Sequence, residues 1–435
     1  MPDWLFLTPA VVKIISIFLC ILALYRLEVP LGLAMLLCSV MLAFWAGSGL
    51  QGVAYIAHAY LQPDNYLMIL LMLLLMLFIE SLSQTGRMQR TVDALQSWFK
   101  NRSLLLAGLP ALVGLLPMPG GALFSAPFVA STDDRNQYGS SHKVAINYLF
   151  RHVWEHWWPL YPGVILALRY VQIPLWMFVA IQFPLSIVSI ASGYFFLLRK
   201  VGGNGEMKGK HGSARAVAQT LGPVAIVVLC GIAGGHILSL LGIAGKVAGL
   251  LAIITGLCLA LASVYITDIG ALKIAGQVYT RKKSWMLILV ILGVLAFSSA
   301  LGQPVNGDGE TLVSIMRDEF MAWGIPIVVV IILLPFISGI VTGIAIGYVG
   351  ASFPLVFALL GESPSLNLLA ATTTLAFGFG YVGMILSPVH ICFVVTNEYF
   401  KSRLYKTYPY LLGPLSITAL AICLLGWGYY RWFPR

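Results

Sequence analysis

Leu67-Met68-Ile69-Leu70-Leu71-Met72-Leu73-Leu74-Leu75-Met76-Leu77-Phe78 is a run without one polar side chain, and Trp285 to Phe297 and Ile325 to Pro335 repeat the pattern. Of the 435 residues, 59% are hydrophobic and 10% charged, whereas an ordinary soluble domain carries about 25% charged residues. A soluble core cannot absorb that apolar mass, because the surface grows with size and there is too little polar sequence to cover it. A bilayer supplies the missing apolar solvent. The fold class expected is therefore an all-α polytopic membrane protein, with the lipid bilayer as its first partner.

The formal charge of +10 sits in short basic clusters between apolar spans, not along one stripe, so no nucleic-acid partner is expected. Cys20, Cys38, Cys230, Cys258, Cys392 and Cys423 all lie in apolar stretches, without a CxxC pair or a histidine at zinc-finger spacing, and read as packing residues. Met1 to Thr8 lacks the basic start of a cleavable signal. No cofactor is expected.

At roughly 20 apolar residues per crossing, the spans fall near 8–25, 29–47, 64–83, 144–168, 173–198, 217–240, 244–266, 284–302, 365–397 and 408–430, about ten in all. Two further apolar stretches, 103–130 and 325–360, are interrupted by Pro and Gly and predict re-entrant hairpins that return to their own side. Arg26, Arg87 to Arg102, Arg199 to Arg215, Arg281 to Lys283 and Lys401 to Lys406 then share one side, and Asp308, Glu310, Asp318 and Glu319 the other. Lys and Arg mark the cytoplasm, so both termini are external, in a multi-pass protein of the inner (cytoplasmic) membrane. Had either hairpin crossed once, the basic loops after it would have switched sides.

The halves resemble each other: three spans, an amphipathic stretch, a hairpin, a polar span and a last span. Leu109-Pro110 with Gly114 is matched by Leu334-Pro335 with Gly339. Five crossings between equivalent points make the repeats inverted. The division expected is 1–198, a cytoplasmic linker at 199–215, and 216–435.

Chemistry concentrates where helix must break. Pro117, Pro119, Gly120 and Gly121 form the first hairpin tip, where missing donors and permissive glycines free backbone N–H and C=O groups. Such backbone is tolerated at membrane depth where it is buried or lines a cavity. Thr342-Gly343 marks the second tip. The polar span after the first hairpin holds Asn147, Arg151 and Glu155, the last two spaced one helical turn apart, either as an internal ion pair or as an anion anchor beside a proton-coupling carboxylate. His152-Val153-Trp154-Glu155-His156 also fits a zinc-protease pattern. It lacks a third ligand, three tryptophans crowd it, and Pro159 follows within a turn, so no metal site is expected. In the second half Ser387-Pro388 breaks the matching span, and His390 beside it can exchange a proton near neutral pH.

Leu116 to Gly121, Phe150 to Glu155 with Pro159 to Gly163, and Gly383 to His390 with Asn397 to Phe400 resemble family 401 of the domains of unknown function. That family looks like a branch of the ion transporter superfamily, which includes the gluconate permeases and C4-dicarboxylate carriers. The resemblance implies an inverted-repeat fold with two re-entrant hairpins, a homodimer, and a transport domain moving against a scaffold. The Ser-Asn-Thr sodium motif of the dicarboxylate members is not found, which favours a proton over sodium as the coupling ion. The expectation is a secondary active transporter and not an enzyme: a proton-coupled carrier of a small organic anion by an elevator-type mechanism. Pro117, Pro119, Gly120, Gly121, Asn147, Arg151, Thr342, Gly343, Ser387 and Pro388 would bind substrate; Glu155 and His390 would couple the ion. The alternatives are a cation/proton antiporter and, from another class, an intramembrane metal-dependent hydrolase.

Overall fold

The computed structural model describes residues 8–433, apart from 88–89, 92–93, 95–100, 117–120, 134–136, 200–212, 244, 306–309 and 362. The described chain is helical almost throughout, with an isolated bridge between Pro304 and Thr311. The fold is that of an all-α polytopic membrane protein. Among the described residues seven helices are long and apolar enough to cross a bilayer, or eight if one bent pair counts as a span. Large apolar side chains such as Leu19, Leu37, Phe195, Leu420 and Trp427 lie exposed on helix surfaces, where hydrocarbon and not water is their natural neighbour.

The first half begins with α1 (Ala10–Arg26), α2 (Leu31–Trp45), α3 (Gly49–Ala59) and α4 (Pro63–Gln84). Hairpin arms α5 (Arg102–Gly114) and α6 (Ala122–Thr132) follow, then the polar pair α7 (Ser140–Arg151) and α8 (Pro162–Val171), and α9 (Leu175–Leu198). The second half runs α10 (Ala214–Leu240), α11 (Gly245–Thr267), α12 (Ala271–Val278), α13 (Lys282–Gly302) and the amphipathic α14 (Leu312–Ala322). It closes with arms α15 (Ile327–Thr342) and α16 (Ala345–Ala358), the polar pair α17 (Leu366–Ile385) and α18 (Ile391–Tyr399), and α19 (Leu404–Trp432).

Of the ten spans expected, four are not single long helices. α1 and α2 have 17 and 15 residues, short of the usual 20, and 144–168 is broken after Arg151. The span at 365–397 is likewise broken, after Ile385. α14 and α15 meet at 120° across Trp323-Gly324, with Gly324 at φ +67, so the amphipathic stretch lies across the hairpin arm as a separate helix. The linker 199–215 lies outside the described residues from 200 to 212.

Packing follows a rule of exchange between halves. α4 packs on α11 while α13 packs on α2; α8 packs on α16 while α6 packs on α18; α7 packs on α19 while α9 packs on α17. The first span of each half is also held near its start by side chains from elsewhere in the chain. Glu319 of α14 accepts the Ala10 and Val11 amides at 2.8 and 2.7 Å, and Arg87 and Thr91, just beyond α4, bond Gln219 and Thr220 of α10. Within one window of each helix, α17 is 83% buried and α10 22%. The polar pairs therefore lie at the centre and α10 at the periphery.

Candidate functional site

Both ends of the first hairpin meet at a buried cluster. Arg102 at the start of α5 donates to the Thr132 carbonyl at the end of α6 (2.8 Å) and pairs with Asp133 (3.3 Å), which also holds Lys143 of α7 at 2.8 Å. Asp133 further accepts the Gln137 and Tyr138 amides. Burial alone would raise its carboxyl; the Lys143 ammonium and the two amides outweigh it and hold the group below its ordinary value.

The far end of each hairpin's first arm carries the unsatisfied carbonyls that every helix leaves at its C-terminus. Those of α5 are taken by the segment after α7. Trp154 Nε1 donates to Ala111 O (2.8 Å), Trp158 Nε1 to Leu115 O (2.9 Å) and the Tyr161 hydroxyl to Gly114 O (2.5 Å). These bonds explain why α7 stops at Arg151, eight residues before Pro159: His152 to Tyr161 run as successive tight turns, among them Glu155 N to His152 O and Tyr161 N to Trp158 O. Pro162 at the first turn then starts α8. In the second half the Ser387 hydroxyl donates to Ile340 O of α15 (2.6 Å), Tyr25 reaches Thr342 O (3.2 Å), and Tyr148 and Tyr408 reach the terminal carbonyls Ile385 and Leu386 of α17. Gly343, at φ +63, turns the hairpin against this break, where a Cβ would stand 2.9 Å from His390 N.

The two breaks face one cavity of about 380 Å³, lined among others by Arg151, His152, Glu155, His390 and Cys392. All five are buried. His152 Nδ1–H donates to the Tyr148 carbonyl at 2.6 Å. Its Nε2 lies 3.1 Å from Nε2 of His390 and 3.8 Å from the Glu155 carboxylate. Arg151 packs its guanidinium against Gly121 at the foot of the first tip, where even a methyl group would overlap it. Glu80 and Arg281, an ion pair, line the same cavity nearer the surface. A larger cavity of about 600 Å³ lies elsewhere, beside the Asp64–Arg169 pair; it is away from both helix breaks, and the smaller one gathers the titratable groups.

Of the residues expected to bind, Arg151, Glu155 and His390 come together here. Ser387 and Thr342 spend their hydroxyls on helix carbonyls behind the wall, Asn147 bonds Ala122 O and Thr396, and Pro388 is exposed. Pro117, Pro119 and Gly120 lie outside the described residues. The helix ends between Arg151 and Glu155, so the two are not set one helical turn apart, and the Glu155 carboxylate lies 3.8 Å from His152 Nε2. The two histidines of the H-x-x-E-H pattern diverge, His156 bonding Ser189 at 3.1 Å and packing its ring against Tyr381 at a tilt. Reading along the chain missed His152 and Cys392 as cavity residues. The only local signal for Cys392 was its place two residues after His390.

No curated protein matches this chain. Residues 9–428 match the family model described as a protein of unknown function, DUF401, which spans both hairpins, both breaks and the cavity between them. The chain therefore belongs to the DUF401 family.

Proposed function

We propose that this protein is a secondary active transporter of the inner (cytoplasmic) membrane, a proton-coupled carrier of a small organic anion such as a carboxylate or sugar acid. The observation that carries the reading is the meeting of two broken spans, one from each half, at a single cavity holding a buried arginine, a carboxylate and two imidazoles. Helix breaks facing each other at a repeat interface are how secondary carriers build a site inside a bilayer. Arg151 supplies a planar, permanently charged fork for a carboxylate. Glu155, His152 and His390 form a chain of contacts along which a proton can be held or passed. The exchange of packing partners between halves supports two inverted repeats, 1–198 and 216–435, joined by 199–215. In the elevator reading the hairpins and polar pairs move against the remaining spans, with a second copy of the chain completing the scaffold.

A cation/proton antiporter is favoured by one feature, that Glu155 and His390 both lie against His152, at 3.8 and 3.1 Å, in an unbroken row of titratable groups. Thermal stabilisation of the purified protein across a panel of carboxylates, sugar acids and phosphate esters tests the carrier reading, since a ligand bound to the folded state alone raises apparent stability by mass action. A stabilising carboxylate whose effect vanishes in Arg151→Gln is expected. No response to any anion, with dye-monitored proton release on adding sodium, would replace the carrier by the antiporter.

A further inference from the structure

The geometry points to a binding site for a first-row transition-metal cation of the zinc type, made by His152, His390 and Cys392, with the Glu155 carboxylate 3.8 Å from His152 Nε2. Nitrogen, nitrogen and sulfur donors from these three residues lie within 4.8 Å of one another, all buried. The Tyr148 carbonyl can only accept, so Nδ1 of His152 carries a proton, and in the neutral ring Nε2 then turns a bare lone pair toward His390. A backbone carbonyl behind the ring is the usual support of a metal-binding histidine. The two Nε2 atoms stand 3.1 Å apart, close to the roughly 3.3 Å that two nitrogens at about 2.05 Å from a tetrahedral zinc must keep. A thiolate with two imidazoles and a carboxylate suits Zn²⁺, Co²⁺ or Ni²⁺ over Mg²⁺ or Ca²⁺, which take oxygen sets.

Coordination would release the Cys392 thiol proton to solvent, leaving a thiolate and the Glu155 carboxylate to balance the two charges of the cation. Arg151 lies on the same cavity wall. The cation occupies the lone pairs that protons would otherwise hold, so the two exclude each other. The inference goes beyond the carrier reading and does not depend on it, because occupancy is read directly.

The test is titration of chelator-stripped, detergent-purified full-length protein with Co²⁺, followed by displacement with Zn²⁺. One Co²⁺ per chain is expected, with a thiolate-to-cobalt charge-transfer band that Zn²⁺ abolishes. Cys392→Ser, a change of one atom, should remove that band, and His390→Ala should weaken binding at least about tenfold while elution volume and melting temperature stay close to wild type. Cys38→Ser, at a thiol elsewhere in the fold, should keep the band. Absence of saturable binding, or a band that survives Cys392→Ser, overturns the site. Should His390→Ala fail to fold, His390→Gln is read in its place, and unchanged cobalt affinity in that variant also overturns it.

Discussion

Arg151 ends a helix, packs on Gly121 and lines the cavity, and each of these facts makes a different prediction. Arg151→Lys keeps the charge and loses the fork, so affinity for the anion found by screening should fall at least about tenfold with the melting temperature nearly unchanged; isothermal titration beside a thermal melt checks it. Gly121→Ala would push on the far end of a flexible side chain and not on backbone, so the protein should fold and its affinity should drop toward that of Arg151→Lys. Glu155 contacts His152, and a double-mutant cycle in stability with Glu155→Gln should therefore show stronger coupling to His152→Gln than to Arg151→Gln. Equal or reversed coupling would mean that the helical pair dominates after all. The spacing of Arg151 and Glu155 was legible as a pair of buried charges. Their separation was not, because what stops the helix is a set of indole and phenol bonds to the hairpin 43 to 47 residues earlier, and local sequence shows Pro159 instead.

Among the elements, both hairpins were visible from Pro and Gly placed inside apolar runs, and the amphipathic α14 from its charges. The partners that hold them were not. The base of the first hairpin rests on Arg102, Asp133 and Lys143, three residues with no common motif. Asp133 is ionised at lower pH in the folded protein than in the unfolded one, so the stability it adds is present above about pH 4 and is lost as pH falls through the folded value. Wild type should lose more melting temperature than Asp133→Asn between about pH 5 and 3, measured by scanning fluorimetry at each pH; parallel losses would remove Asp133 from the account. The second hairpin instead rests on close backbone approach. A side chain at Gly339 would run into the Gly380 carbonyl and the Met384 amide, and one at Gly383 into Phe336 O. Since backbone cannot step aside, Gly339→Leu should cost about 3 kcal/mol or prevent folding, whereas Gly108→Leu, where a Cβ meets nothing within 4 Å, should be far milder.

For the whole molecule, composition decided the membrane class, being a sum over the chain that survives local error, and charge supplies the sidedness expected. Helix counts suffered more, because α1 and α2 are short and the polar spans are broken where tertiary bonds, not residue types, end them. The convergence of His152 with His390 joins residues 238 apart in sequence, and only folding of one half against the other brings Cys392 to the same cavity. Sidedness has its own check. Single cysteines at the exposed positions Ser213 and Glu310, in a cysteine-free background, should react with an impermeant thiol reagent from opposite faces of the membrane; reaction from one face would remove the two-hairpin arrangement.

The central claim is that one carrier site is assembled from both halves. It is tested most directly by uptake of the screened anion into proteoliposomes under an imposed proton gradient, comparing wild type with Arg151→Lys in the first half and Gly343→Val in the second. The account predicts gradient-driven accumulation by wild type and at least about a tenfold loss in each variant at equal reconstitution. Uptake indifferent to the proton gradient, or undiminished in either variant, would contradict it.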